Sequence, residues 1–297
     1  MKKLFYMAAW FFKARFLNIK KPLQTVLAVS NRCNMACVHC SEYEAENPIV
    51  KGFEQIREEL AYAYQRGSRI VDFQGGEPTI WKDGVHDLNS LIRQAKQMGF
   101  YSVTLTTNAL LPFPGLEADM IWVSLDGLGP YHDAIRGAGA FKKLVDNVES
   151  SGYINLNANM VVNSLNYESV EETIEFVRQS PHLKAIAINF HTPRPSTGDL
   201  FLDWETRSSV IDKVLQMKRA GYPIMNSYSG LKFMKTNSFK KECWISGFIL
   251  PDGTRYDRCP GYLIELCERC GYTMAGEMKS VFGLKPDTIL SALKMRL

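Results

Sequence analysis

The sequence has no block of like charges, no low-complexity tract and no repeat of fixed period. The absence of such features argues against a disordered tail, a fibrous chain or a solenoid. Its net charge of +4 is too small to point to nucleic acid, so no nucleic-acid partner is expected. The strongly apolar stretch 4–12 has nine residues, whereas a membrane-crossing helix needs about 20. It resembles a secretory signal at first, but Lys13 and Arg15 follow at once and no small-residue cleavage site does. Seven cysteines is an odd number, and a secreted disulfide framework uses an even one in a shorter chain. A dinucleotide fingerprint is missing too. Gly137-Ala138-Gly139 lacks a strand directly before it, and Lys142 stands where a third glycine would be needed.

What is present is an ordinary globular chain. Its 297 residues, 46% hydrophobic and 22% charged, suffice for one large α/β domain with a small appendage. The cysteines fall into two tight groups, near position 35 and between 243 and 270, which in a reduced compartment reads as metal ligation. The protein is therefore expected in the cytoplasm. The N-terminal run supports two readings. One is a helix packed on the body. The other is an interfacial helix whose aromatics enter lipid while Lys2, Lys3, Lys13, Arg15, Lys20 and Lys21 face head groups, a peripheral membrane contact.

From about residue 24, short apolar runs alternate with helical periodicity. Strands are expected at 24–30, 69–73, 101–106, 121–125, 155–162 and 184–190. Helices are expected at 53–65, 87–98 (closed by Gly99), 141–149, 169–178 and 204–219. Six strands alternating with helices predict an α/β fold, a partial (β/α)6 TIM-like barrel with chemistry at the C-terminal strand ends. After Gly221 the rhythm breaks, and Pro251-Asp252-Gly253 reads as a hairpin turn. The expected division is a 1–22 apolar and basic helix, a 23–221 core, and a small 222–297 cysteine-rich cluster-binding module with a C-terminal helix.

Cys33, Cys37 and Cys40 stand at C-x3-C-x2-C spacing directly after the first strand. A structural zinc site wants four closed ligands, and His39, adjoining Cys40, is a poor fourth. Three thiolates can instead hold three irons of a four-iron cube, leaving one iron open to a small ligand. At the second strand's end comes Gly75-Gly76-Glu77. Its glycines allow close backbone approach, and Glu77 could accept a charge-assisted hydrogen bond or simply face solvent in a tight turn. In this order the motifs resemble those of radical S-adenosylmethionine (radical SAM) enzymes.

That resemblance implies a [4Fe–4S] cluster on Cys33, Cys37 and Cys40 whose open iron chelates the amine and carboxylate of S-adenosylmethionine. It implies reductive cleavage to a 5′-deoxyadenosyl radical that abstracts hydrogen from a substrate. It also implies an external one-electron reductant such as flavodoxin or ferredoxin. In the family the Gly75-Gly76-Glu77 turn contacts the methionine amine, and a polar residue such as Ser124 lies near the cofactor. Thr106 and Asn108, at the third strand's tip, suit ribose and carboxylate recognition, though such residues also cap turns. Arg136 could reach the cofactor carboxylate or form a surface ion pair. Asn159 matches weakly an Asn that related enzymes place nearby. Asp126 reads as structural.

Cys243, Cys259, Cys267 and Cys270 form a closed set of four, for which zinc is the simplest physical reading. Around a Pro-Asp-Gly hairpin they also resemble the twitch module, a smaller relative of SPASM that binds a second [4Fe–4S] cluster. The gap between Cys259 and Cys267 is shorter than that pattern leads one to expect. The expected protein is thus a radical SAM enzyme acting on a small-molecule, lipid or isoprenoid, or peptide substrate. A non-catalytic iron–sulfur electron carrier and a zinc-binding scaffold are the alternatives. No side chain stands out as substrate base or hydrogen donor.

Overall fold

The computed structural model describes residues 2–40, 46–194 and 197–296, the side chains of Lys2 and of 292–296 excepted. Six parallel strands form the core: β1 (Gln24–Ala28), β2 (Ile70–Gln74), β3 (Ser102–Thr107), β4 (Met120–Ser124), β5 (Leu156–Val162) and β6 (Leu183–Phe190). They pair in that order, each parallel to the next. Helices α2 (Phe53–Arg66), α3 (Leu88–Met98), α5 (Ala140–Ser150), α6 (Val170–Gln179) and α7 (Trp204–Arg219) cover the outer face. The short helix α4 (Pro130–Arg136) follows β4, whereas β3 reaches β4 through a loop without a helix. This is the partial (β/α) barrel that the alternation of strands and helices predicts.

Local chemistry explains the boundaries. Asp87 caps α3 by accepting from Ser90 N, and the Ser90 hydroxyl answers the Asp87 N–H in a reciprocal box. Gly99, at φ 95°, ends the same helix in the left-handed region, where a residue with Cβ is strained. The inner faces of α2 and α3 bury Ile56, Leu60, Leu91 and Ile92 completely, against Leu27, Val71 and Phe73 of the sheet. Each such side chain contributes about 1.5–3 kcal/mol when removed from water.

The C-terminal quarter does not stand apart from the barrel. Strand β7 (Ser246–Ile249) pairs parallel with β1 and extends the sheet by one strand, and β8 (Arg255–Tyr256) returns antiparallel to β7. The expected Asp-Gly hairpin is this β7–β8 connection. Helix α8 (Tyr228–Thr236) packs on α9 (Met274–Phe282), and α10 (Pro286–Arg296) contacts both. The segment before α9 is pinned to β6: Phe190 N donates to Gly271 O, and Thr273 N donates to Asn189 Oδ1.

Helix α1 (Lys2–Phe16) packs at the N-terminal ends of β1, β2 and β7. Tyr6 Oη donates to Gly67 O at 2.6 Å and Trp10 Nε1 to Lys21 O at 2.8 Å. Trp10 packs with Leu23, Ile70 and Ile245, each at or just before the start of a strand. The run that the sequence left open is therefore a helix packed on the body along one face. Among the described residues no helix is long and apolar enough to cross a membrane.

Candidate functional site

The first cysteine group sits beyond the C-terminal end of β1, at the opposite end of the barrel from α1. Its loop is fastened to the end of β2. Gly76 N donates to Ser30 O at 2.8 Å and Glu77 N to Arg32 O at 2.9 Å. The two glycines make this approach possible. A Cβ on Gly75 would lie 2.1 Å from Ser30 O, and one on Gly76 would lie 1.9 Å from Arg32 O. The closely approaching backbone is thus that of the cysteine loop itself. Across the loop, Val38 N donates to Ile135 O, tying it to α4.

Glu77 is buried, not solvent-facing. Its Oε1 accepts from Thr79 N, Thr79 Oγ1 and Thr107 Oγ1, and its Oε2 accepts from Asn108 N at 2.7 Å. Burial pushes its pKa up while these donors pull it down. In this structure the carboxylate knits β2 to β3. Asn108 then reaches the loop: its Nδ2 donates to Asn34 Oδ1 at 2.8 Å and points at Cys33 Sγ at 3.8 Å.

Arg136 is buried as well, and pairs with Asp126 rather than with a surface partner. Nε donates to Asp126 Oδ2 at 2.7 Å, while Nη1 lies 4.0 Å from Cys37 Sγ. Asp126 is a fully buried hub that also accepts from Val161 N. Burial pushes its pKa up, but Arg136 holds it below the usual carboxylate range. Burial also lowers His39 to about 4, so that ring is neutral. For the thiols, burial raises Cys33 and pushes Cys37 up to about 11. The neighbouring thiols add to both rises, and Arg136 partly offsets the one at Cys37. A metal centre held here must therefore displace protons, as thiolate ligation requires.

Thr106 and Asn159 face elsewhere, into a cavity of about 180 Å³ inside the barrel. Ser124 is buried beside Asn159 in register but is not on the cavity wall. The eight residues expected to contact a cofactor thus divide in two. Gly75, Gly76, Glu77, Asn108 and Arg136 build and brace the cysteine loop, and Thr106 and Asn159 line the lumen, with Ser124 between. The lumen also holds polar residues that the sequence reading passed over. Asp72 accepts from Thr104 Oγ1 at 2.6 Å, Asn189 Nδ2 donates to Asn159 Oδ1 at 2.8 Å, and Glu277 Oε1 accepts from Ser227 N. Their signal was polar residues at alternate positions inside apolar strands, Asp72 and Gln74 on β2 and Thr104 and Thr106 on β3.

The second cysteine group lies beside β7, β8 and the pinned segment. Cys243 precedes β7, Cys259 follows β8, and Cys267 and Cys270 occupy short turns. Burial pushes Cys243 up to about 12, with Cys259, Cys270 and Cys267 adding to the rise, so all four thiols share one neighbourhood. Asn237 Nδ2 donates to the carbonyls of Cys267 and Glu268, holding the C-x2-C turn. Against it stands Arg207, with no exposed surface. It lies over the rings of Phe190 and Trp204 and donates from Nη2 to Cys270 O at 3.1 Å, but Nε and Nη1 have no hydrogen-bond partner among the described residues. Unpartnered buried donors of a cation are costly and fit a site that receives negative charge. Among the described residues, no three His, Cys, Asp or Glu side chains converge on a point as ligands of one ion would.

The family model for the Radical SAM superfamily matches residues 27–177, just over half of the chain. A probable GTP 3′,8-cyclase of Saccharolobus islandicus (strain M.14.25 / Kamchatka #1) is 30% identical over 169 residues, 52% of this chain and 53% of the relative. An Fe-coproporphyrin III synthase of Methanosarcina barkeri (strain Fusaro / DSM 804) is 32% identical over 140 residues, 43% of this chain and 33% of the relative. The chain thus spans about half the length, or less, of these curated relatives. The crystal structure of Streptococcus suis SuiB bound to S-adenosylmethionine has the same fold, with a TM-score of 0.65 at 16% identity. The match covers 97% of this chain and 72% of SuiB.

Proposed function

This chain belongs to the radical SAM superfamily of enzymes, and on that footing we propose that it cleaves S-adenosylmethionine reductively and passes the radical to a substrate in the barrel lumen. The observation that carries the reading is the three-cysteine loop, locked at the C-terminal end of β1 by Gly75, Gly76 and Glu77. Cys33, Cys37 and Cys40 would hold the cluster. When bound, it supplies the electron that breaks a carbon–sulfur bond of S-adenosylmethionine. The chain's own contribution is placement. Asn108 points an N–H at Cys33 and Arg136 lies by Cys37, which favours the negatively charged, reduced state. Thr106 and Asn159, on the lumen wall, would hold polar groups of the cofactor or substrate, with Ser124 beside them.

The second group supports a further [4Fe–4S] cluster in a twitch-like module. Cys259, Cys267 and Cys270 are near enough to influence Cys243, Asn237 holds the C-x2-C turn, and the spare donors of Arg207 suit an anionic centre. We place 23–221 as the catalytic core, with 222–297 supplying this cluster and closing the lumen. Seven unpaired thiols suit a reducing, cytoplasmic setting, and a flavodoxin or ferredoxin would supply the electron.

The lumen wall narrows the substrate. Among the described residues that line the cavity are two carboxylates, Asp72 and Glu277, and no Lys, Arg or His, so these residues do not favour a triphosphate. The substrate of the cyclase relatives is therefore a poor fit, and a phosphate-free small molecule, lipid or peptide segment is the better one.

The test is anaerobic reconstitution, followed by iron and sulfide counts and 5′-deoxyadenosine formation under a strong reductant. Changing Cys33, Cys37 and Cys40 together to Ala should abolish 5′-deoxyadenosine. Unchanged turnover would overturn the assignment and favour an electron carrier or scaffold. Cys267→Ala with Cys270→Ala should remove about half of the iron and leave uncoupled cleavage in place. Zinc in that second group, with about four irons per chain in total, would overturn the second cluster alone.

A further inference from the structure

Helix α1 has two apolar faces, and only one of them meets the protein. Successive residues turn by about 100° along a helix. On one side Met7, Trp10, Phe11 and Ala14 face inward against Trp244, Met278 and Phe282. On the opposite side Phe5, Phe12 and Phe16 fall within about 40° of one another. They are 77%, 54% and 56% exposed. The rings of Phe12 and Phe16 touch each other, with centroids 5.2 Å apart. Leu17 and Ile19, just after the helix, are exposed too.

Charge frames this aromatic stripe. Lys13 lies on one flank and Arg15 on the other, and Lys21 is exposed on the chain that follows, whereas the neighbouring Lys20 pairs with Glu242 at 3.7 Å. Lys2 belongs to the same set, but its side chain lies outside the described residues. No Asp or Glu occurs before Glu42. Arg15 is oriented rather than loose: Nε donates to Phe282 O at 3.1 Å and the guanidinium lies 5.3 Å from the Phe16 ring centre. The inner face therefore fixes the helix rigidly, and the outer face presents an apolar ridge between cations. That arrangement complements an anionic bilayer, where rings enter the acyl boundary and cations meet phosphate head groups.

We propose that the outer face of α1 docks the protein on an anionic lipid surface through Phe5, Phe12 and Phe16. The helix packs at the N-terminal ends of β1, β2 and β7, so docking directs the cysteine loop, at the other end of β1, away from the bilayer. This inference is independent of the proposed chemistry, because it concerns binding and not turnover.

The experiment is co-sedimentation of the reconstituted full chain with vesicles of phosphatidylcholine alone or mixed with phosphatidylglycerol. Binding should require phosphatidylglycerol and weaken with added salt. Changing Phe5, Phe12 and Phe16 together to Ser should lower the partition coefficient by about a hundredfold or more without shifting the melting temperature, since none of the three packs on the core. A separate Phe12→Trp variant should show a blue-shifted emission on anionic vesicles that brominated lipid quenches. Equal partition onto neutral vesicles, no binding, or an unaffected triple variant would overturn the proposal. A concentration-dependent dimer that the triple variant dissolves, without vesicle binding, would overturn it in favour of a second copy of this chain. If the triple variant fails to fold, the tryptophan reporter in the otherwise unchanged chain decides alone: quenching supports docking and its absence refutes it.

Discussion

Arg207 is a cation left with unused donors in the interior, and it tells the two states of the protein apart. Without a metal centre the two nitrogens left unpartnered among the described residues cost stability, so Arg207→Met should leave the apo melting temperature unchanged or raise it. In the loaded protein the same change removes a positive charge beside Cys270. The midpoint potential of the second centre should then fall by about 60 mV, a tenfold shift of a one-electron equilibrium, as read by redox titration with electron paramagnetic resonance. An unchanged potential would detach Arg207 from that centre. His132 carries a second prediction. It is buried and neutral, its Nδ1 accepts from Asp126 N, and burial lowers its pKa to about 4. The unfolded value is about 6.5, so above that pH neither state is protonated and stability is complete. As pH falls from about 6.5 to about 4, only the unfolded chain gains the proton, and stability drops by up to about 3 kcal/mol. Urea midpoints between pH 7 and 4.5 should show this decline, and His132→Gln should lessen it, the remainder coming from His39 and His191, which burial also lowers. Neither residue announced itself in the sequence. Arg207 sits in an ordinary amphipathic helix, and only the fold reveals that aromatic rings and a cysteine turn close over it.

At the scale of elements, the Gly75-Gly76-Glu77 turn is a fastener between two strand ends. Gly76→Ala must move the Arg32 carbonyl, since the new carbon would stand 1.9 Å from it. Such forced displacement costs roughly 1–3 kcal/mol. The expected result is a folded protein whose first centre loads poorly, with iron per chain lower and the second centre intact. Normal iron content and normal cofactor cleavage would show that the loop does not depend on this clamp. The strand and helix order was readable because period and punctuation agree, as in α3 with Asp87 at one end and Gly99 at the other. The roles at strand tips were less so. Sequence places Glu77 at the end of β2, but not the donors from Thr79, Thr107 and Asn108 that fill its carboxylate. Lumen residues such as Asp72 escaped for a related reason, because a barrel interior permits polar groups where a simple sheet core does not. In α1 both faces are apolar, so periodicity could not say which one packs inward. Changing Trp10 or Phe11 would strike the core contact with Phe282, whereas Phe5, Phe12 and Phe16 report on the outer face alone.

Across the whole molecule, the two cysteine groups meet the barrel at different places, yet one strand links their fates. β1 leads straight into the first cysteine loop, and its two neighbours are β2 and β7. The second of these is preceded by Cys243 and comes from the last quarter of the chain. The sequence gives no hint of this pairing, since parallel strands so far apart share no turn and no local pattern. It sets an order of events during synthesis. A ribosome delivers Cys33, Cys37 and Cys40 early, but the strand that leads into their loop keeps one open edge until Ser246–Ile249 emerges. Over that interval the three thiols follow a strand anchored on one side only. The edge beside them closes only once Ser246–Ile249 has emerged and paired with β1.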